Sequence, residues 1–290
     1  MKVTGFSFIR NAIKYDYPIV EAICSVLPLC DDFVIAVGNS DDDTLQLIQG
    51  IAPDKIKIVE TVWDDSRREG GAVLAMETNK AFQAVPNDSD WAFYIQGDEV
   101  LHEQYYDTIR NEMLRWKDDE KVDGLLFHYK HFYGSYDYVA TAPRWYRNEI
   151  RIIRNNKKIY SYRDAQGFRK YDDKKLRVKP VDAYIYHYGW VKHPQSMQRK
   201  IEGFVHLYHD DSWIETNIEK AEEFDYSDID LLSRFDGTHP ETMQKRIGRI
   251  NWKFDFDISK KNPSFKSRFK LFVEKMTGYR VFEYKNYKKV

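Results

Sequence analysis

The sequence contains few residues that cross-link a chain, interrupt it or hold it in a membrane. Its two cysteines, Cys24 and Cys30, are too few for a disulfide framework and fit a protein of a reducing compartment. We find no internal repeat and no long linker rich in Pro, Gly or Ser. No apolar run approaches the roughly 20 residues that a membrane span needs. We therefore expect a soluble protein of the cytoplasm.

The sequence also has no excess of charge of either sign, because 45 Lys and Arg nearly balance 46 Asp and Glu, for a net charge of −1. The whole molecule is therefore no evident nucleic-acid binder. Residues 251–290 differ from the rest, with 11 basic and 4 acidic residues, whereas the remaining chain has a charge of −8. A nucleic-acid function of this tail would require strongly salt-dependent binding, and we rank it last.

Apolar and aromatic residues, in contrast, are plentiful. With 290 residues, of which 42% are hydrophobic and 31% charged, the composition predicts a globular protein with one large domain, or one domain with an appendage. Aromatic residues make up 16% of the chain, and their rings suit sites that stack on ligands.

One stretch, residues 90–102 with the sequence DWAFYIQGDEVLH, has the clearest functional signal. Its apolar run from Trp91 to Ile95 predicts a strand buried on both faces of a parallel sheet. Gln96-Gly97-Asp98-Glu99 follows, so two carboxylates stand at the carboxyl end of the strand, where open α/β sheets bind ligands. A hard divalent cation that bridges phosphate oxygens needs one or two carboxylates. An ordinary acidic turn explains the same four residues.

Around this stretch, the apolar patterns predict strands and helices in alternation. The strands cover residues 3–9, 33–37, 55–59 and 91–95, and the helices cover residues 18–27, 44–49 and 66–85. This order predicts a mainly parallel, doubly wound sheet. Beyond it we expect a helix over 103–117, strands over 124–133, 145–153 and 181–187, loops over 134–144 and 155–178, and helices from residue 196 and over 241–250.

Five short motifs follow one another along the chain: Arg10-Asn11, Ser25-Val26-Leu27, Gly38-Asn39-Ser40-Asp41-Asp42, Gly70-Gly71 with Asn79, and Gln96-Gly97-Asp98-Glu99. In this order they resemble those of the family 2 glycosyltransferases, which have the GT-A nucleotide-diphospho-sugar fold and an Asp-x-Asp motif at the last position. The similarity covers roughly residues 3–190. It implies a Rossmann-like α/β fold with a C-terminal helical extension. We expect a catalytic domain over residues 1–192, a helical extension over 193–250 that closes the acceptor side, and a basic aromatic tail over 251–290.

The resemblance also implies an activity. A hexosyltransferase-type enzyme would move a sugar from a nucleotide-diphosphate sugar to a hydroxyl group of a saccharide or lipid-linked acceptor, with inversion, in the synthesis of cell-surface polysaccharide or glycan. Asp98 matches the family's direct metal ligand and, with His187, would hold Mn²⁺ or Mg²⁺. The donor would contact Arg10, Asn11, Asp42, Gly71, Gln96 and Lys200, of which Lys200 would neutralise the departing diphosphate.

Two positions depart from the family pattern. Val37 or Gly38 stands where an acid commonly contacts the uracil ring, so base recognition would differ or come from Asp42 or another group. Gln96 replaces the first acid of the Asp-x-Asp motif, which leaves less negative charge for a metal ion. We therefore expect a metal site of modest affinity.

The residues leave several roles open. An inverting transfer needs a carboxylate that takes the proton from the acceptor hydroxyl; Asp164 is our first candidate and Glu149 the second. A surface ion pair with nearby arginines is the alternative for both, and a buried structural histidine is the alternative for His187. Further candidates are Lys192, Arg199 and His239 as cations, and His206, His209, Asp210 and Asp211 as a second metal cluster.

Two other functions are compatible with parts of the sequence. A sugar-phosphate nucleotidyltransferase has a related sheet but should have a Gly-rich basic loop after its first strand, and residues 8–11 contain no glycine. A non-catalytic nucleotide-sugar- or carbohydrate-binding protein is compatible with Gln96 and with the missing acid at Val37.

The tail has a pattern of its own. Its aromatic and Met residues recur at helical spacing among lysines and arginines, at Phe265, Phe269, Phe272 and Met276. Such an amphipathic helix either packs on the catalytic domain or makes peripheral contact with an anionic membrane, on its inner face.

Overall fold

In a computed structural model, which describes residues 1–218, 221–259, 263, 265–278 and 280–290, strands and helices alternate through the first part of the chain. The strands are β1 (Val3–Ile9), β2 (Asp32–Gly38), β3 (Ile56–Thr61) and β4 (Trp91–Tyr94), and the helices are α1 (Ile19–Val26), α2 (Thr44–Gln49) and α3 (Ala72–Gln83). The pairs β1–β2, β1–β4 and β2–β3 are all parallel. The strand order β3-β2-β1-β4 is that of a doubly wound sheet, as predicted.

The following elements extend this sheet with both parallel and antiparallel pairs. They are β5 (Glu99–Leu101), α4 (Tyr106–Trp116), β6 (Gly124–Tyr133), β7 (Ser135–Ala140), β8 (Asn148–Arg154), β9 (Ile159–Tyr162), β10 (Gly167–Lys170) and β11 (Lys174–Trp190). β8 lies antiparallel between β4 and β6, and β6 is parallel to β11. The main path through the sheet is β3-β2-β1-β4-β8-β6-β11-β10-β9, and beside it β5 pairs with β11 and β7 pairs with β6. This is the Rossmann-like GT-A architecture that the motifs imply.

Alternate residues of the central strands face two cores on opposite sides of the sheet, because side chains of a strand alternate between its faces. Phe33 and Ile35 of β2 pack with α1 and α4 on one side. Val34 and Ala36 pack with Phe82 of α3 on the other. Burial of each large apolar side chain contributes about 1.5–3 kcal/mol. Since helices cover both faces, a ligand has access to this sheet at the carboxyl ends of its strands.

Three segments differ from the sequence-based expectations. The helix expected from residue 66 begins at Ala72, because Gly70 and Gly71 have φ angles of +56° and +69°, which no right-handed helix contains. The loop expected over 134–144 contains β7, which pairs with β6 and buries Tyr136 and Tyr138. The turn-rich stretch 155–178 contains the hairpin of β9 and β10. In the last two, aromatic side chains gain burial that outweighs the turn-forming composition.

The C-terminal part adds short helices and two more strands of the sheet. Its elements are α5 (Pro194–Val205), α6 (Asp211–Asn217), β12 (Leu232–Arg234), α7 (Gln244–Ile247), α8 (Phe265–Thr277) and β13 (Tyr287–Lys289), and short 3₁₀ turns cover Leu27–Leu29, Glu103–Tyr105 and Glu241–Met243. β13 pairs with β11 in parallel. The basic tail predicted over 251–290 lies partly outside the described residues, at 260–262, 264 and 279. Among the helices of the described part, none has the length and hydropathy required to cross a bilayer.

Candidate functional site

A cleft of about 790 Å³ lies where β1, β4 and β11 end, and α5 with residues 206–209 forms one of its walls. This volume is in the range of ligand pockets of proteins. Seven of the predicted site residues line it: Arg10, Asn11, Gln96, Asp98, Asp164, His187 and Lys200. The other three, Asp42, Gly71 and Glu149, are not among its lining residues in the described chain.

Asp98 lies in the turn between β4 and β5, at the base of the cleft. Its Oδ2 is 3.3 Å from Lys200 Nζ and 3.7 Å from His187 Nε2. Burial alone would raise the pKa of Asp98, but Lys200 and other nearby cations outweigh it and lower the pKa to about 2. A Cβ at Gly189 would lie 2.7 Å from Asp98 Oδ2, so the absent side chain lets β11 approach this carboxylate. Asp98 is therefore ionised.

Hydrogen bonds determine which nitrogen of the His187 imidazole has the proton. The carbonyl oxygen of Tyr146, 2.7 Å from His131 Nε2, can only accept, so His131 is protonated at Nε2. Burial lowers the pKa of His131 to about 3, so the ring is neutral and its Nδ1 is an acceptor. His187 Nδ1, 3.1 Å away, donates to it. Because burial also lowers the pKa of His187, its Nε2 is unprotonated and faces Asp98.

Two electron-pair donors thus face each other, the Asp98 carboxylate and the His187 Nε2. Such a pair is stable only with a cation between or beside the two groups. Lys200 supplies one cation, and the donor set also fits Mn²⁺ or Mg²⁺, with the imidazole oriented by its bond to His131. In the described part of the chain, no group of three or more His, Cys, Asp or Glu could hold a metal ion. The remaining coordination positions would therefore belong to ligand oxygens and water.

The second carboxylate of the motif, Glu99, has a structural role. It is fully buried and forms a bidentate ion pair with the fully buried Arg151, at 2.6 and 2.7 Å. The hydroxyl of Tyr129 donates to it at 2.7 Å, and the N–H of Gln96 at 3.1 Å. Glu99 therefore holds the turn that presents Asp98. Sequence reasoning missed Arg151 here, since no local pattern relates residues so far apart.

Gln96, in place of the first acid of the motif, joins the end of β4 to a second turn. Its Nε2 donates to the Tyr94 hydroxyl and to the carbonyl oxygen of Ala165, both at 3.2 Å. The second turn, between β9 and β10, contains Asp164. Both amide hydrogens are used within the protein, so this side chain positions the Asp164 turn.

Asp164 lines the cleft from a strained turn. Its two neighbours, Arg163 and Ala165, have φ angles of +56° and +61°, which are uncommon for residues other than glycine. Burial raises the pKa of Asp164. A cleft-lining carboxylate with a raised pKa is a suitable acceptor of a proton.

Gly71 lies behind Asp164 rather than in the cleft wall. A Cβ at Gly71 would lie 2.8 Å from the Tyr208 hydroxyl and 2.9 Å from Asp164 Cβ. Its N–H donates to the carbonyl oxygen of Leu207 at 3.2 Å. Gly71 therefore permits the close approach of the Asp164 turn and the segment after α5.

Glu149 is buried away from the cleft lining. Its Oε2 has no hydrogen-bond partner among the described residues, and the same holds for Oδ1 of Asn286. Burial is the main cause that raises the pKa of Glu149 to about 8, so the carboxyl is largely protonated at neutral pH. The second candidate base is therefore a neutral, buried group.

This protonation predicts a pH-dependent difference in stability. The pKa of Glu149 is about 8 in the folded protein, and its ordinary value is 4.5. The protonated carboxyl therefore contributes fully to the stability of the folded protein below pH 4.5, and this contribution is lost as the pH rises to about 8. The variant Glu149→Gln cannot ionise. As the pH rises through this window, the free energy of unfolding of the variant should therefore increase relative to that of the wild type, by on the order of 4 kcal/mol. Urea denaturation at several pH values measures this gain. The exposed Glu120→Gln is the control, and its free energy of unfolding should follow that of the wild type at every pH. If Glu149→Gln also follows the wild type, the raised pKa of Glu149 is contradicted.

Arg10 and Asn11, where β1 ends, hold the loop after β2 in place. Asn11 Oδ1 accepts from the N–H of Asp41 at 2.8 Å, and its Nδ2 donates to Asp41 Oδ2 at 3.3 Å. Arg10 Nε donates to the carbonyl oxygen of Asn39 at 3.0 Å, and its guanidinium pairs with Asp65 at 2.6 Å. These two residues form one wall of the cleft.

Asp42 closes the turn before α2. Its Oδ1 accepts from the N–H of Thr44 at 3.1 Å and from the Thr44 hydroxyl, and its Oδ2 accepts from the N–H of Lys14 at 2.7 Å. The preceding residue, Asp41, lines the cleft in its place. The motif match could not distinguish two consecutive aspartates.

Of the four candidate cations Lys192, Arg199, Lys200 and His239, Lys200 alone is among the described residues that line the cleft. Lys192 is fully buried, and burial lowers its pKa far below the usual range. Arg199 is exposed. The ring of His239 packs against Phe132, with centroids 5.0 Å apart.

The suggested second metal cluster is dispersed. His206 pairs with Asp211 at 3.4 Å, whereas His209 stacks on Trp213 with ring centroids 3.5 Å apart. Asp210 accepts from the N–H of Trp213 at 2.8 Å and so caps α6. Each group has a structural partner, and His206 and His209 also line the cleft.

Sequence reasoning missed most of the aromatic lining of the cleft. The high aromatic share indicated ring stacking, but no local pattern gave the positions, which include Tyr15, Tyr17, Trp63, Trp145, Tyr146, Trp190 and Tyr208. The indole N–H groups of Trp63 and Trp145 are buried and have no acceptor among the described residues. The indole nitrogen of Trp63 lies against Gly38, where an added Cβ would clash with it.

Comparisons with known proteins give distant likenesses only. No protein-family profile and no curated protein matches the chain. Among solved structures, S. aureus TarS 1–349 in complex with UDP is similar at 15% identity and a TM-score of 0.39, over 70% of this chain and 64% of that one. The 4-diphosphocytidyl-2C-methyl-D-erythritol synthase of Anaerococcus prevotii is similar at 14% identity and a TM-score of 0.39, over 66% and 89%.

Glucosyl-3-phosphoglycerate synthase of Mycobacterium tuberculosis, solved with Mn²⁺, UDP and phosphoglyceric acid, is similar at 19% identity and a TM-score of 0.29, over 46% and 43% of the two chains. The chain thus spans less than two thirds of TarS 1–349 and of this synthase. Likenesses this distant are no basis for assigning an activity. The strand order of the chain itself is consistent with the Rossmann-like GT-A architecture.

Proposed function

We propose that this chain is a glycosyltransferase that moves a sugar from a nucleotide-diphosphate sugar to a hydroxyl acceptor. The observation that carries the proposal is the cluster of Asp98, His187 and Lys200 at the strand ends of an open α/β sheet. An ionised carboxylate, an unprotonated imidazole and an ammonium group together suit a diphosphate with its metal ion. The cleft around them has the size of a nucleotide-sugar site.

Asp98 and His187 are the proposed metal ligands. Mn²⁺ or Mg²⁺, when bound there, would neutralise charge on the leaving diphosphate. Lys200, 3.3 Å from Asp98, adds a second positive charge on the same side of the cleft. The residues themselves bind and orient the diphosphate, and His131 holds the His187 ring in the required tautomer.

Asp164 is the proposed base. It takes the proton of the acceptor hydroxyl as that oxygen bonds to the anomeric carbon, while the bond to the diphosphate breaks and its electron pair leaves with the diphosphate. A single displacement of this kind inverts the configuration at the anomeric carbon. Glu149 takes no part in this proton transfer, since it is buried and already protonated at neutral pH.

The wall of Arg10, Asn11 and Asp41 suits the nucleoside, because it offers guanidinium, amide and carboxylate groups beside the indole of Trp63. In this proposal residues 1–192 form the catalytic domain. Residues 193–250 close the acceptor side, since α5 and residues 206–209 form the opposite wall. A saccharide or lipid-linked acceptor, as in polysaccharide synthesis, would enter there.

Calorimetry of UDP and GDP binding, with and without Mn²⁺, tests the proposal together with Asp164→Asn. We expect one nucleotide to bind in the presence of Mn²⁺. Asp164→Asn should keep this affinity but lower turnover of the matching sugar nucleotide by about 100-fold or more, since a general base contributes that much. The exposed Asp172→Asn is the control. If neither nucleotide binds with Mn²⁺ present, the proposal is wrong.

A further inference from the structure

Helix α8 has its apolar side turned away from the protein. Phe265, Phe269, Phe272 and Met276 are 87%, 52%, 64% and 70% exposed. At about 100° per residue, these four side chains fall within an arc of about 60° around the helix. They therefore form one continuous apolar stripe along the helix.

The opposite side of α8 is attached to the sheet domain by ion pairs. Glu274, about 180° from the stripe, pairs with Arg147 at 2.9 Å and with Arg280 at 2.8 Å. Arg147 also pairs with Glu283 at 2.8 Å. The helix thus packs through a side that contains Glu274 and the half-buried Leu271 and Val273, and it leaves the stripe of larger apolar side chains exposed. Packing on the catalytic domain, one of the two readings of the sequence pattern, does not cover the stripe.

Basic side chains stand on both sides of the stripe. At about 100° per residue, Lys266 lies on one flank, and Arg268 and Lys275 lie on the other. Residues 265–277 contain four basic residues and one acid, and that acid, Glu274, is paired with two arginines. Two copies of the helix, placed stripe to stripe, would bring these positive charges together. A surface with negative charge is the complementary partner.

We propose that α8 binds an anionic lipid surface, with its phenylalanines among the acyl chains and its lysines and arginine at the headgroups. Aromatic residues in a stripe flanked by cations are typical of helices that lie in the membrane interface. Each basic residue near an anionic leaflet adds to the attraction, which is screened by salt. Phe282 and Tyr284, which follow the helix in the chain, are also exposed.

The position of α8 relates this surface to the cleft. Arg280 donates to the carbonyl oxygen of Trp145 at 3.2 Å, and Arg147 follows Tyr146 in the chain. Trp145 and Tyr146 line the cleft. A membrane-bound α8 would therefore bring this wall of the cleft near the lipid, where a lipid-linked acceptor is accessible. This consequence for the acceptor rests on the proposed function, whereas membrane binding itself does not.

Sedimentation of the full chain with vesicles tests the inference. One set of vesicles is pure phosphatidylcholine, and the other contains about 30% phosphatidylglycerol. We expect binding to the anionic set only, weakened by salt. Phe269→Ser/Phe272→Ser should lower the affinity about tenfold or more, because two large apolar side chains are lost. Leu114→Ser on α4 is the matched control, since Leu114 and Phe269 are both 52% exposed.

Equal binding to both vesicle types, no binding, or binding that the double variant leaves intact would overturn the inference. So would a concentration-dependent dimer of the wild type that the double variant abolishes, which would assign the stripe to a second copy of the chain. Calorimetry of nucleotide binding on the same variants separates the two proposals. Loss of vesicle binding with nucleotide affinity retained concerns α8 alone, and failure of nucleotide binding leaves the vesicle result valid.

Discussion

Glu99→Ala is expected to destabilise the protein by about 3–5 kcal/mol, because it leaves the Arg151 guanidinium charged and buried without its partner. Both side chains are fully buried, and the pair is bidentate at 2.6 and 2.7 Å. Domains of ordinary stability have about 5–15 kcal/mol in total, so the variant should unfold at much lower denaturant concentration. Equilibrium denaturation in urea measures the loss.

A double variant distinguishes an unpaired charge from a general loss of packing. Glu99→Leu/Arg151→Met removes both charges and retains apolar volume, so it should be more stable than Glu99→Ala. Asp107→Ala, at an exposed carboxylate whose side chain is 93% accessible, is the control and should change stability little. A loss below about 1 kcal/mol in Glu99→Ala would show that Arg151 has another route to solvation or pairing.

Asp98→Asn should abolish turnover of the sugar nucleotide, with a loss of about 10³-fold or more, and should remove Mn²⁺-dependent nucleotide binding. The substitution retains the shape of the side chain but removes the charge that would hold the metal ion in the proposed function. Since Asp98 lines the cleft beside Lys200, whose ammonium can be hydrated there, the fold should persist. Steady-state kinetics and calorimetry on one preparation measure both effects.

A thermal unfolding curve close to that of the wild type is the necessary control for Asp98→Asn. Asp107→Asn changes a side chain that is exposed to solvent, so this variant should behave as the wild type in every measurement. Turnover or Mn²⁺-dependent binding that survives in Asp98→Asn would exclude Asp98 as the metal ligand. In that case Lys200 would be the main cation for the diphosphate.

Features that depend on residues close together in the sequence could be predicted. The alternation of β1 to β4 with helices follows from hydrophobic period and turn residues, so a doubly wound sheet with these strands parallel could be predicted. The family resemblance placed Asp98 and His187 near each other, although His187 lies within β11 and not at the end of a strand, where the apolar pattern predicted it. Helix α3 began later than predicted because periodicity does not reveal the positive φ angles of two consecutive glycines.

Contacts between distant strands could not be predicted. His131 meets His187 because β6 and β11 are parallel neighbours with these two residues in register. The pair Glu99 and Arg151, separated by 52 positions, likewise depends on the antiparallel insertion of β8. Strand register is a property of the assembled sheet, and no window of the sequence contains it.

The side chain at position 96 constrains how this site could change by mutation. Gln96 donates one hydrogen bond to Tyr94 and one to the Ala165 carbonyl oxygen beside Asp164. An aspartate there would supply the acid of the Asp-x-Asp motif, but its side chain is one methylene shorter and its carboxylate has no hydrogen to donate to that carbonyl oxygen. A change to the motif is therefore epistatic: the acid is tolerated only together with another support for the turn that contains Asp164.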